Sequence, residues 1–346
     1  MLNISEKRNI NFENFFNKAR NLGIYINQNL YIKQISEDNN GLFAKNDVDV
    51  NQLLIKFPKN LLISKSIFNK FILEQKVEYP NDKFFEDYFS SIPNYEYFKK
   101  SSILFIDQEK KNKILNFFVQ TSPSRRKIDH LFSSFNKLND FEKYSFLIFK
   151  TRAFNYENNQ YLCPVIDLVN YRHDSPKVFY NNEGIHCKNK TLLRKSDQFF
   201  HGYENQSNII SFFLNYNFLP ENFNRVSIPS NFFFLNIPQN KKDLIDEDYW
   251  ITSNRKFSNK KRIVFDNLAI PIDFKLEINK IIPTNTEINK ILLLILEMLK
   301  NEIKYQEVNE FLKNNNDLNH LYFFAKALEI NYLKIEELIN KIDKNN

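Results

Sequence analysis

Apolar residues recur at helical spacing from Phe12 to Leu22 (Phe12, Phe15, Phe16, Ala19, Leu22), and the pattern predicts a helix stopped at Gly23. Residues 24 to 35 alternate well enough for one or two strands. Asp38-Asn39-Asn40-Gly41 reads as a turn, and Leu42-Phe43-Ala44 and Leu53 to Phe57 as short strands, the second ended by Pro58. From about 62 to 149 the period becomes helical. Ile67, Phe68, Phe71 and Ile72 make one stripe, and Phe84, Phe85, Tyr88 and Phe89 another. Residues 129 to 152 predict one long helix with a break between Asn136 and Asp140. Strand patterns return at 161–166, 176–180, 184–187 and 190–194. Residues 225–280 are mixed. From Asn285 the chain is helical again, with one stripe from Ile288 to Ile303 and two more over 316–328 and 330–343.

Two β-rich stretches thus flank a helical block, which reads as an insertion in a β domain. At 346 residues the chain has room for two domains. The 36 Phe and 17 Tyr against only 4 Gly accompany an excess of Asn, Lys and Ile, all with A/T-rich codons. Base composition therefore explains the aromatics without a function. It also predicts Asn at positions where glycine would otherwise serve, because Asn tolerates positive φ best after Gly. The net charge of +7 is spread over mixed Lys and Glu with no like-charge block, so a nucleic-acid partner is not expected. Two cysteines, Cys163 and Cys187, make neither a disulfide framework nor a cysteine-rich zinc site, and no metal is expected. The start lacks the apolar core of a secretory leader, and the most apolar run, Ile291 to Leu299, is too short to span a bilayer. A soluble, cytoplasmic, monomeric protein without membrane association is expected.

Residues 150 to 219 concentrate the candidate chemistry, with polar residues set singly among aromatics. Three separated segments there and upstream match one pattern. Asn40-Gly41-Leu42-Phe43-Ala44, followed by a strand ending in Phe57-Pro58, resembles the opening Gly-x-Gly-Leu-(Phe/Val)-Ala of a SET domain. Asp167-Leu168-Val169-Asn170-Tyr171 resembles its Asp-x-x-Asn-His segment. Tyr203 to Asn208, with Asn215-Tyr216-Asn217-Phe218, resembles its closing Tyr-Gly-x-x-Ser-Asn…Tyr-Gly-Phe segment. The run Thr151-Arg152-Ala153-Phe154, the helical insert and the helical C-terminus resemble the branch that holds Rubisco large-subunit lysine methyltransferase and actin-histidine methyltransferase.

The resemblance implies an α+β fold: a SET-domain β fold with a pseudoknot, a large helical insertion and a mostly helical C-terminal domain. Residues 1–61 and 141–222 would form the split SET domain, 62–140 the insertion, and 223–346 a helical substrate-binding-like domain. It implies S-adenosylmethionine as cofactor and a methyl transfer to a lysine side chain of a non-histone protein. Such a transfer depends on alignment of nucleophile and methyl carbon. The amine, ordinarily near pKa 10.4, must first lose its proton, which a dry channel beside a sulfonium favours. By the same resemblance Tyr203 and Tyr216 are the catalytic candidates. Asp38, Asn40, Arg152, Asn170, Tyr171 and Tyr203 are cofactor-binding candidates, with Arg152 the fork of donors for the cofactor carboxylate. Asp167, Phe154 and Tyr156 would line the substrate side, although Asp167 also fits a buried acid in a turn.

The chain departs from the family pattern at four positions. Asn39 and Asn217 stand where glycines are usual, Tyr171 where a histidine is usual, and Glu204 follows Tyr203 in place of glycine. Tyr156 falls where the Rubisco enzyme has an arginine, and the zinc-binding cysteines that follow many histone-directed SET domains are missing. Two alternatives stay open: a histidine-directed methyltransferase of the same fold, and a SET-fold binding module without catalysis.

Overall fold

The computed structural model describes residues 11–36, 39–74, 82–172, 175–202, 208–216, 218–220, 223–229, 262–270, 285–315, 317 and 319–344. In chain order the first elements are α1 (Phe12–Asn21), β1 (Tyr25–Ile26), β2 (Leu30–Ser36), β3 (Asn39–Ala44), β4 (Leu53–Pro58) and β5 (Ile63–Ser64). Helices α2 (Lys65–Glu74), α3 (Asp82–Ser91), α4 (Tyr95–Ser101), α5 (Gln108–Asn116), α6 (Pro123–Asn136) and α7 (Asp140–Arg152) follow. Strands return as β6 (Phe154–Tyr156), β7 (Asn159–Leu162), β8 (Asn170–Tyr171), β9 (Phe179–Asn181), β10 (Gly184–Lys188) and β11 (Gln198–His201). The remainder comprises α8 (Ile209–Tyr216), β12 (Arg225–Pro229), β13 (Arg262–Asp266), α9 (Asn285–Lys300), α10 (Tyr305–Asn314) and α11 (His320–Asp343).

Asparagine, abundant in this chain, repeatedly starts helices, because its short carbonyl side chain satisfies a donor that the first turn leaves open. Asn11, Asn94, Asn139, Asn208 and Asn319 each accept from a backbone N–H three residues on. Asn139 and Glu142 complete a reciprocal capping box, which explains the break between α6 and α7 at the expected place. Gly23, at φ +84°, follows α1 where a left-handed residue is needed to end it.

Contacts divide the chain into two compact units, residues 1–102 with 135–204 and residues 103–134 with 205–346. Residues 62–102 and 135–140 fall in the first unit and residues 103–134 in the second. In the first unit one sheet has the order β1-β4-β10-β9, a second β2-β3-β11-β8, and a third β5-β7-β6. All pairings are antiparallel except β11 with β8. Leu54, Ile55, Phe57 and Ile185 are fully buried in this unit, and complete burial of each such side chain is worth about 1.5–3 kcal/mol. The apolar stripe of α3 packs inward too, with Phe84 stacked on Phe15 of α1 at 4.9 Å. In the second unit β12 and β13 pair, and Val226, Ile228 and Phe265 from them share a core with Leu292, Ile295 and Leu296 of α9 and Leu338 of α11.

Several sequence expectations shift. Asn39, Asn40 and Gly41 are extended in β3 rather than turned. The strand expected over 161–166 ends at Leu162, since Pro164 lacks a ladder donor. Residues 190–194 form no strand; Leu193 makes only an isolated bridge to Val48. The strand expected over 176–180 lies at Phe179–Asn181, and the two C-terminal stripes largely coincide with the single helix α11.

Candidate functional site

Strand β8 is only Asn170-Tyr171, yet it is the point where two distant segments meet. It pairs in parallel with β11, Phe200 opposite Asn170 and His201 opposite Tyr171. The backbone of Arg172 continues the contact by donating to the carbonyl of His201 at 3.3 Å. The Asp-x-x-Asn segment therefore lies directly beside the residues that lead into Tyr203. Asn170 and Tyr171 are both half-buried. Gly202 follows with its backbone against that of Ser175: a Cβ there would stand 2.7 Å from the Ser175 carbonyl oxygen. Glycine at this position permits a close approach that no side chain would allow.

The approach to β8 is strained. Val165, buried and β-branched, has φ +76° and ψ −51°, a tight three-residue turn that is costly for any residue with a Cβ. A conformation of this kind costs about 1–3 kcal/mol and persists only where its surroundings enforce it. Immediately after it, Ile166–Leu168 make one 3-10 turn that carries Asp167. The Asp167 side chain is 1% exposed. Its Oδ2 accepts from the Tyr88 hydroxyl of α3 at 2.5 Å and meets Nη1 of Arg152 at 3.5 Å. The same Nη1 donates to the Asp167 backbone carbonyl at 3.2 Å. Oδ1 is buried and, among the described residues, has no hydrogen-bond partner. Burial pushes the Asp167 carboxyl up from its ordinary 3.8 to about 6, against the lowering effects of Arg152 and the Tyr88 hydroxyl. Burial, reinforced by the neighbouring carboxylate, also raises Tyr88 well above its usual range.

Arg152 ends α7 with its side chain 20% exposed. Among the described residues it bonds only through Nη1. Nη2 and Nε, the remaining donors of the fork, suit a carboxylate. Asp167 is thus an interior acid in contact with both Tyr88 and Arg152.

Phe154 and Tyr156 both lie on β6. Phe154 is half-buried, its ring 5.8 Å from that of His201. His201 is buried, and desolvation lowers it from 6.5 to about 4, so the ring is neutral at physiological pH. Tyr156 is buried and donates its hydroxyl to the Asn181 carbonyl at 2.8 Å, which holds β6 beside β9. Asn40 pairs with Gln34 in the β2–β3 ladder and is half-buried. At its neighbour Gly41, which has no positive φ, a Cβ would lie 2.6 Å from Gln198 Nε2 and 2.8 Å from Ile35 Cδ1. Gly41 thus serves close packing in the sheet.

Tyr216, in the second unit, occupies the last turn of α8, with its ring 4.9 Å from that of Phe212 and 6.4 Å from that of Phe218. Asp38, Tyr203, Glu204 and Asn217 lie outside the described residues. The structure thus brings together Arg152, Asp167, Asn170, Tyr171 and Phe154 in one unit. It adds Tyr88, which the sequence showed only as part of an apolar stripe. Cys163 and Cys187 are buried free thiols, and burial raises both thiols above their usual range. No described helix is long and apolar enough to cross a membrane.

The chain, mixed helix and sheet with a parallel pair at the edge of one sheet and a helical C-terminal region, has a SET-like fold. Solved structures share it over nearly the whole chain. The SET domain of LSMT bound to lysine and AdoHcy superposes with a TM-score of 0.53 at 14% identity, covering 96% of this chain and 91% of that one. Rubisco LSMT bound to AdoMet superposes at 0.54 with 15% identity, covering 96% and 92%. Rubisco LSMT bound to sinefungin and monomethyllysine superposes at 0.53 with 15% identity, again covering 96% and 92%. No protein-family model and no curated protein matches the sequence.

Proposed function

We propose that this chain is an S-adenosylmethionine-dependent protein methyltransferase that modifies a lysine of a non-histone protein. The observation that carries the reading is the parallel pairing of Asn170-Tyr171 with Phe200-His201, next to an Arg152 anchored on Asp167. Neighbours sharing the fold are bound to AdoMet, AdoHcy, lysine and methyllysine derivatives, which supports the same ligand classes here.

The residues fit the cofactor. Arg152 keeps two nitrogens for a carboxylate, and Asn170, half-buried beside the Tyr171 backbone, supplies an amide for the amino end. Asn40 is the further described ligand, with Asp38 and Tyr203 assigned from the motif. When bound, S-adenosylmethionine supplies an electrophilic methyl group. The chain's part is to bind, orient and dehydrate. Phe154 and the neutral His201 ring give a dry wall, which disfavours a charged amine. Tyr203 is assigned to the transfer channel and Tyr216 to the amine. Residues 223–346 are assigned to presentation of the substrate protein.

Titration calorimetry with S-adenosylmethionine tests the reading. Saturable binding by wild type is expected, with Tyr203→Phe keeping affinity and losing most turnover in a labelled-methyl assay on lysate protein. Absence of saturable heat sinks the proposal. Hydrolysis of the labelled product separates methyllysine from methylhistidine.

A further inference from the structure

We propose that Tyr88, on helix α3 of the helical segment, is a positioning residue: its hydroxyl fixes the Asp167 carboxylate, which in turn fixes Arg152 for its ligand. The inference rests on the reading of Arg152 as the ligand of the cofactor carboxylate.

The three groups come from three separate elements. Tyr88 sits in α3, Arg152 at the end of α7, and Asp167 in the 3-10 turn before β8. Tyr88 is completely buried. Its stripe neighbours Phe84, Phe85 and Phe89 are all buried without a hydroxyl, so a phenylalanine at this position would fill the same space at no polar cost. The hydroxyl is accounted for by Asp167 alone among the described residues. The hydroxyl contact at 2.5 Å is the short one to the carboxylate, whereas the Arg152 nitrogen reaches Oδ2 only at 3.5 Å. Both contacts go to the same charged oxygen, and the shorter one, from Tyr88, constrains the carboxylate's rotation more closely.

Two features argue against a merely structural bond. Oδ1 stays buried without a hydrogen-bond partner among the described residues, which costs stability that an apolar residue would not. The acid also follows directly on the strained Val165 turn. A fold that keeps both costs at one place is holding that carboxylate in position. Three groups face it: the Tyr88 hydroxyl, the Arg152 guanidinium and the Cys163 thiol. Burial raises that thiol, so it stays neutral. Ionised Asp167 holds Arg152; protonated Asp167 releases the ionic part of that hold.

The test is calorimetric affinity for S-adenosylmethionine from pH 5 to 8.5. Wild-type affinity should fall as pH drops through about 6. Tyr88→Phe removes one hydrogen bond that favours the ionised acid. Its affinity at pH 7.5 should be about fivefold weaker, and its midpoint should move towards alkaline pH. An unchanged affinity and midpoint, with only a lower melting temperature, means that Tyr88 is structural and overturns the inference while leaving the proposed function intact. Should Tyr88→Phe not fold, Asp167→Asn decides. It should bind weakly and without pH dependence near 6, and retention of the wild-type midpoint overturns the inference. No binding by wild type at any pH overturns both.

Discussion

Replacing Asp167 by asparagine should change how stability depends on pH, in a direction opposite to that of most carboxylates. The side chain is 1% exposed, and its carboxyl is raised from 3.8 to about 6, with burial as the leading cause. The native state therefore holds this proton more tightly than the unfolded chain does. Between about pH 4 and pH 6 the native state binds more protons, so the contribution of Asp167 to stability falls as pH rises through that window. It is fully present below the unfolded value and flat above the folded one. At 1.36 kcal/mol for each tenfold change, the span from 3.8 to about 6 corresponds to about 3 kcal/mol. The substituted amide keeps the shape but cannot ionise. Urea unfolding of both proteins at pH 4, 5, 6, 7 and 8 gives the difference, in which the other titrating groups cancel. Wild type should lose up to about 3 kcal/mol relative to Asp167→Asn between pH 4 and 7. A difference that stays constant, or that moves in favour of wild type, refutes the reasoning. The latter result would mean that Arg152 and Tyr88 together outweigh desolvation.

Two stability predictions follow from the backbone of the first unit. Gly184 has φ +143°, and a Cβ there would run into the Phe57 carbonyl oxygen and stand 2.9 Å from the Lys59 nitrogen. Gly184→Ala should therefore lose more than about 3 kcal/mol in denaturant unfolding, and a loss below about 1 kcal/mol contradicts the geometry. The buried Asn189 amide donates to the carbonyls of Val48, Asp49 and Thr191 at 3.3, 2.7 and 2.9 Å. Asn189→Ala should cost about 2–3 kcal/mol by thermal unfolding, and a variant as stable as wild type would show that solvent replaces the amide.

The elements that were legible are those set by local periodicity and caps. The α1 stripe, the Gly23 stop and the break at Asn136–Asp140 all lie where the pattern puts them. The order of the motif segments carried the fold, because Asn170-Tyr171 and the lead into Tyr203 do meet. What failed depended on pairings, near or far in the chain, that residue type alone does not specify. Tyr88 is indistinguishable from its phenylalanine neighbours until its hydroxyl finds an acid 79 residues later. Asn39 and Asn40 read as a turn from composition, but pairing with β2 extends them. Residues 190–194 have strand-like composition, yet the Asn189 side chain, not a ladder, organises that loop. The left-handed turn at Val165 leaves no trace in sequence, since a β-branched residue is the least expected one there.

The interleaving of the sheets also sets a schedule. Phe43 of β3 waits for Gln198 of β11, and Ile55 of β4 for Cys187 of β10. On a ribosome adding about 5–20 residues per second, the gap from residue 43 to residue 198 lasts roughly 8–30 s. Helices between them form in microseconds, so the helical segment is made while β3 and β4 still present open edges. Those edges include Leu54, Ile55 and Phe57, all destined for complete burial. Unpaired apolar edges of this kind seek other chains. Yield in a cell should accordingly depend on translation speed and on chaperones that bind extended apolar segments, more than on the stability of the finished protein.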